Sequence, residues 1–330
     1  MKRVLSGLQP SGQLHLGNYA GAIKQFLRMQ DDHEMYVFVA SYHALTAARD
    51  AEQLRSDIRQ VVIDYLAFGL DPAKTHIYLQ QDVPQVTELA WLLSCVCPKH
   101  LMDKQVAFKD KVAKGLPSTI GLYSYPVLQA ADILSVDPDL VPVGEDQRQN
   151  IEIMRDLAQK YNHHFGTEDE PVFKVPVAQI RGDSGATVPG TDGQKMSKSY
   201  NNGIDPFMEE KPLRKRIMKI VSDATPVDQP KDPDRDTTFQ IFAALAGEDD
   251  QRTVALRDKY LNPPAAGFGY GHAKHALFEL ILDEFGPARQ KRVQLMNDPA
   301  YVEQVLKDGA AAAGEQVAAV TARARAAAGL

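Results

Sequence analysis

GLQPSGQLHLGNY, residues 7–19, sits between a short apolar run of strand character, Arg3-Val4-Leu5, and residues 20–29, where Ile23, Phe26 and Leu27 share one side of a helix. Gly7, Pro10, Ser11 and Gly12 make the connection a tight, irregular turn. Strand, glycine-bearing turn and helix together place His15, Gly17 and Asn18 at the helix start. Such a start offers free backbone N–H groups and a partial positive charge, which suits a phosphate. Gly17 lacks the Cβ that would keep a ligand off the backbone. The same residues would also serve an ordinary strand-to-helix turn with a surface histidine. The phosphate reading gains weight from a second stretch far along the chain, Lys195-Met196-Ser197-Lys198-Ser199.

Outward from residues 7–19 the alternation continues. Residues 35–40, MYVFVA, read as a buried strand with His43 at its carboxyl end. Asp50 to Gln53 has the pattern of a capping box, opening a helix that Gly69 stops. Residues 76–80 form a third strand. Strands alternating with helices predict a parallel sheet covered on both faces, a doubly wound, Rossmann-like α/β fold. Ligands of such sheets lie at the carboxyl ends of the strands, the edge that carries residues 7–18 and His43.

Residues 84–136 interrupt this with helical segments at 85–96, 103–113 and 117–136, a helical insertion. Its last helix carries Tyr125, Gln129 and Asp132 on one face, at i, i+4 and i+7. Apolar neighbours bury Asp132, and a buried carboxylate needs a partner, whether a structural one or a ligand. Strand 140–143 follows, then Gly144, Glu145, Asp146 and Gln147 at the first turn of a helix to about Tyr161; residues 172–175 are the expected last strand. Residues 181–194 hold four glycines and read as a mobile loop leading into Lys195. Beyond Asn202 the spacing is helical, at 207–221, 237–246, 249–260, 270–285 and 298–327, with a Pro- and Asp-rich linker at 225–236. The Ala-rich stretch from Gly309 reads as one long helix. Two domains are expected, 1–205 and an α-helical 206–330.

At 330 residues, 44% hydrophobic and 24% charged, the composition is that of a globular protein with a sizeable core. No apolar run suits a membrane span or a secretory signal. Cys95 and Cys97 are too few and too close for a disulfide framework, so a reducing cytoplasm is expected, and a structural metal centre is not. A net charge of −6 argues against coating nucleic acid through bulk charge. Local basic clusters remain at 211–219 and 289–292, either solvated helix faces or contacts to a polynucleotide.

The two loops together resemble the paired signature of class I aminoacyl-tRNA synthetases. His15-Leu16-Gly17-Asn18 is similar to the HIGH motif, with Asn in place of the final His, and residues 195–199 match KMSKS letter for letter. GLQPSGQLHLGNY, YPVLQAADIL (125–134), VPVGEDQ (141–147) and GFGYGHAKHAL (267–277) resemble blocks of the bacterial tryptophanyl branch, in the same order. The resemblance implies a homodimer that forms tryptophanyl-adenylate from tryptophan and ATP, with Mg²⁺ carried by ATP, and then charges tRNA(Trp). It implies a Rossmann catalytic domain whose insertion carries much of the dimer contact, and an α-helical anticodon-binding domain.

By the same resemblance, His15, Asn18, Lys195 and Lys198 act on the phosphates. Gln9, Pro10, Ser11, Gly17, Gly144, Glu145, Asp146, Val188, Met196, Ser197 and Ser199 line the ATP site. Asp132 would accept the indole N–H, with Leu5, His43, Tyr125, Gln129 and Gln147 around the substrate. The attacking group is the substrate's own carboxylate, so no protein nucleophile is needed, and none is recognisable in the sequence. Two departures fall near this pocket: Gln129 stands where many relatives carry Met, and Ser41-Tyr42 where they often carry Asp-Gln. A tyrosine-specific synthetase and a non-catalytic, tryptophan-sensing paralogue are the alternative readings.

Overall fold

Alternation along the strands decides what each face of the central sheet buries. The computed structural model describes residues 1–10, 12–113, 115–180 and 188–330; Ser11, Lys114, residues 181–187 of the expected loop and the side chains of Ile180 and Ser199 lie outside the description. Among the described residues β1 (Lys2–Leu8), β2 (His33–Val39), β3 (Thr75–Leu79), β4 (Leu140–Val143) and β5 (Val177–Ile180) form one parallel sheet in the order β3-β2-β1-β4-β5. The chain reverses its direction of travel at β1, so the loop after β1 lies at the switch point of the sheet.

One face of the sheet presents Val4, Met35, Val37, Val39 and Ile77 to a first apolar layer. That layer is closed by α1 (residues 16–29), α3 (Ala51–Phe68) and helices from the second half of the chain. A short α2 (Ser41–Ala44) lies between α1 and α3, directly after β2. The opposite face presents Leu5, Tyr36, Phe38, Tyr78 and Val141. They pack against α4 (Gln85–Val96), α7 (Ile120–Leu134) and α8 (Arg148–Phe165). Helix α3 begins with Asp50 accepting from the N–H groups of Glu52 and Gln53 and ends at Gly69, whose φ of 110° only glycine adopts without strain. Gln53 does not complete the expected capping box; its amide donates to Asp57 at 2.8 Å.

Within the insertion, the segment expected at 103–113 is two helices, α5 (Lys99–Asp103) and α6 (Val106–Ala113). The last strand also differs from expectation. Residues 172–175 are not a strand, because the N–H and C=O of Phe173 are both taken by the side chain of Asn162, at 2.7 and 2.8 Å. Pairing starts only where Val177 N–H donates to Asp139 O at 2.9 Å.

The second half holds α9 (Glu210–Met218), α10 (Thr237–Ala246), α11 (Gln251–Leu261), α12 (Tyr270–Asn297) and α13 (Pro299–Ala327). Helix α12 runs past the expected end at 285 and through Pro287. The carbonyl that loses its partner there belongs to Asp283, which is exposed and can be hydrated. Helix α13 lies against β3, an edge of the sheet. A Cβ on Gly309 would come within 2.0 Å of the Ile77 carbonyl oxygen. Farther along, α13 packs Ala313, Val317, Val320 and Ala324 into the second layer. This close approach is the physical use of the alanine-rich composition. Among the described residues no helix is long and apolar enough to cross a membrane.

Gly309→Ala should therefore destabilise the protein by about 1–3 kcal/mol, since backbone rather than a flexible side chain must give way. Gly314, with open space around it, is the control. There alanine should be neutral or stabilising. Equal effects of the two substitutions in urea unfolding would refute this account of the packing.

Candidate active site at the carboxyl edge of the sheet

The turn after β1 delivers His15 as the N-cap of α1. Its Nδ1 accepts from Asn18 N–H at 3.3 Å, and the Asn18 side-chain oxygen accepts from His15 N–H at 3.1 Å, a reciprocal cap. The proton of a neutral ring is then on Nε2, which remains a donor. Burial, helped by the charge of Lys198, lowers the His15 pKa from 6.5 to about 4. The unfolded ring takes up a proton below 6.5, whereas the folded one does so only near 4. This contribution to stability is complete above 6.5 and is lost as pH falls toward 4. His15→Asn keeps a capping acceptor and removes the titration, so its urea stability should fall less than wild type between about pH 7.5 and about pH 5. Identical pH dependences would exclude a neutral, capping His15.

The lysine stretch folds back onto this helix start. Gly17 N–H donates to the Met196 sulfur at 3.3 Å, and Met196 is 4% exposed. A Cβ on Gly17 would lie 2.9 Å from His15 Nδ1 and 3.3 Å from Met196 Cβ, so glycine here sets how closely the two stretches meet. Met196 N–H donates to the carbonyl of Val188, itself buried, and Lys195 bridges Pro189 in antiparallel fashion. Asn202, 2% exposed, ties the bend together. It accepts from Ser197 N–H at 2.8 Å and donates to Asp192 and to the Lys195 carbonyl at 2.7 and 3.1 Å. Ser199 falls in the turn Lys198–Tyr200.

The Lys198 ammonium reaches over Gly12, where a Cβ would lie 3.2 Å from Nζ. Loss of water around the ammonium lowers its pKa to about 8, against the opposing pull of Asp57, Asp64 and Asp205. Gln9 is exposed and Pro10 buried at the same turn.

Asp132 lies deeper, 5% exposed on α7. Its Oδ1 accepts from Gln80 Nε2 at 2.7 Å; its Oδ2 accepts from the same amide at 2.9 Å and pairs with His43 Nε2 at 2.7 Å. A carboxylate offers about four acceptor positions, so one position on Oδ1 stays available to a donor. Gln80 in turn accepts from Tyr42 N–H at 2.9 Å.

Tyr125 sets its ring edge-on to His43, with centroids 6.3 Å apart, and the Lys111 ammonium of α6 lies 4.2 Å from the Tyr125 centroid. Beside them Asn150 donates to Gln129 and Gln147 at 2.9 and 3.0 Å, and Gln129 donates to Gln147 at 3.1 Å. Leu5 is fully packed in the apolar layer on this side. Gly144, Glu145 and Asp146 are exposed at the end of β4; Glu145 grips Arg148, and Asp146 accepts from Gln147.

A cationic, donor-rich lip and a buried acceptor thus open on the same sheet edge. A family model described as tRNA synthetases class I (W and Y) matches residues 1–282. The chain belongs to this family.

Among similar proteins, the tryptophan–tRNA ligase of Fusobacterium nucleatum subsp. nucleatum is 51% identical over 309 residues, covering 94% of this chain and 92% of its own. That of Rhodopirellula baltica is 48% identical over 98% of both chains. Among solved structures, tryptophanyl-tRNA synthetase from Campylobacter jejuni complexed with ADP and tryptophan matches with a TM-score of 0.89 at 42% identity, covering 99% of this chain and 100% of that one.

The synthetase thus brings His15, Gly17 and Asn18 together with Met196 and Lys198, and Asp132 together with His43 and Tyr125. Gln80, Asn202 and Lys111 are additions that sequence reasoning passed over. Gln80 opens the short turn Gln80–Asp82 after β3, and nothing local distinguishes it from a loop glutamine. Of the basic clusters, Arg216 donates to the carbonyls of Asn201 and Gly203, and Arg289 and Arg292 also point into the protein. Lys211, Arg214, Lys215 and Lys219 stay exposed.

Proposed function

We propose that this synthetase activates L-tryptophan with ATP, releasing pyrophosphate, and transfers tryptophan from the adenylate to tRNA(Trp). The observation that carries the proposal is the packing of Met196 on Gly17, which holds two phosphate-suited stretches against each other at the carboxyl edge of the sheet. A tryptophan carboxylate oxygen attacks the α-phosphorus, and the bond from that phosphorus to the pyrophosphate oxygen breaks. The carboxylate is already ionised at neutral pH, so the protein's work is alignment and charge stabilisation. His15 Nε2 and the Asn18 amide donate to phosphate oxygens. Lys195 and Lys198 meet the charge that builds on the leaving pyrophosphate. The free acceptor position of Asp132 takes the indole N–H, while Tyr125, Gln129, Gln147 and His43 surround the substrate. Gln9, Pro10, Gly144, Glu145, Asp146 and Val188 flank the nucleoside.

Among the described residues no group of three or more His, Cys, Asp or Glu is placed to cage a metal ion. In this reading magnesium comes with the triphosphate, where it would neutralise phosphate charge. Residues 1–205 form the catalytic domain and 206–330 bind tRNA, with the exposed lysines and Arg214 of α9 as contacts. Trp91, Val106 and Ile120, exposed at 69%, 59% and 80%, support the insertion as the face that pairs two copies. ATP–pyrophosphate exchange across all twenty amino acids tests the reading: stimulation by tryptophan alone is expected. Stimulation by tyrosine instead, or by no amino acid, would overturn it.

A further inference from the structure

Behind the lysine stretch, charged groups converge from both halves of the chain. Asp64 on α3 is 1% exposed; its Oδ1 accepts from Gln60 and from Arg292 Nε, both at 2.9 Å, while Oδ2 has no hydrogen-bond partner among the described residues. Arg292 belongs to α12, and its guanidinium lies 4.9 Å from the Phe207 ring centroid. One turn earlier Arg289 donates to the carbonyls of Pro206 and Met208 at 2.7 and 2.6 Å. The two arginines therefore grip residues 206–208, the strap that leaves the lysine stretch. The start of the strap is held by α1: Leu16 N–H donates to Ile204 O at 2.8 Å, and Gly203 packs against the His15 ring.

We infer that Arg289 and Arg292 are positioning residues for Lys198, fixing its ammonium through the strap and through the buried Asp64 carboxylate. The inference rests on the assignment of Lys198 to the triphosphate made above. A buried carboxylate with an orphaned oxygen is costly. What it supplies in return is a negative field behind the loop. The titratable groups facing Lys198 are Asp57 and Asp64 from α3, Asp205 from the strap and the neutral His15 from α1; the three carboxylates favour its protonated form. Asp205 in turn faces Arg289, Arg292 and Lys198. Burial raises the Asp64 pKa to about 6, while Arg292 and Gln60 hold it down and Asp205 pushes it further up.

Loss of Arg292 would raise the Asp64 pKa further, leaving more of it neutral at pH 7. Lys198 would then lose its proton at lower pH. The pH at which kcat/KM for ATP falls on the alkaline side should accordingly move down.

The test is ATP–pyrophosphate exchange with tryptophan as a function of pH, on the full chain, with folding checked by circular dichroism. The variants are Asp64→Asn, Arg292→Leu, both together, Arg292→Lys and Arg289→Gln. Single removal strands a buried charge and can unfold the protein; the double variant removes both charges at once. The expected result is an alkaline limb lowered by about half a pH unit in the double variant. Arg292→Lys should restore the limb. Arg289→Gln should lower kcat several-fold with the limb in place and KM for tryptophan unchanged. A folded double variant and a folded Arg289→Gln, both with wild-type limb and kcat, would overturn the inference. Absence of exchange in the wild-type protein would instead overturn the assigned activity.

Discussion

Lys198→Ala is expected to slow tryptophanyl-adenylate formation by about 10²- to 10³-fold, the loss typical of removing one preorganised donor to developing charge. KM for tryptophan should barely change, because Lys198 lies over Gly12 and the start of α1, whereas Asp132 is held by His43 and Gln80. The reason for so large an effect is the placement of the ammonium. Lys198 is exposed as a residue, yet loss of water around its ammonium brings its pKa down to about 8. A cation so weakly hydrated gives up little solvation when it meets a phosphate oxygen. Single-turnover formation of the adenylate separates this step from binding. A near-normal rate would remove Lys198 from the charge-stabilising role.

Asp132→Asn should raise KM for tryptophan by about 10- to 100-fold, corresponding to about 1–3 kcal/mol for leaving a buried donor unpaired, with ATP affinity nearly unchanged. Carboxylate and amide are close in shape, so Gln80 can still donate to the remaining oxygen. With the NH₂ at the Oδ1 position it faces the space where the indole N–H would lie, while the oxygen at the Oδ2 position still pairs with His43. Two donors then oppose each other at a side chain only 5% exposed. Equal losses of ATP and tryptophan affinity would show that Asp132 serves the fold alone. Equilibrium binding of each substrate decides between these outcomes.

How much of this could be read from residues alone varied with the range of the interaction. Strand 140–143 and helices 85–96 and 237–246 match residue for residue, because period and flanking breakers lie within the segment itself. The partnership of residues 15–18 with 195–198 was legible only as two strings that resemble one signature; the contact between Gly17 and Met196 was not. Asp132 was recognisable as a buried carboxylate, but its partners come from β2–α2 and from the end of β3, and no spacing encodes such distances. The basic run at 289–292 shows the limit most clearly. In sequence it resembles any solvated helix face, and only the folded chain turns Arg289 onto the strap and Arg292 onto Asp64. Residues 172–175 failed as a strand for a related reason: a side chain 11 positions away, Asn162, occupies the backbone groups that a strand would need.

Helix α13 also bears on the order in which the protein can be completed. It packs against the edge strand β3, and its Arg323 donates to Val172 O while pairing with Asp137, on the far side of the sheet. Translation delivers residues 299–327 only after every strand has emerged. Until then one edge of a parallel sheet stands uncovered, with free backbone donors and acceptors that invite pairing with another nascent chain. The window for misassembly therefore lasts until about thirty alanine-rich residues have been synthesised, formed a helix and docked. Helix formation itself takes on the order of a microsecond, so elongation rather than folding governs the hazard.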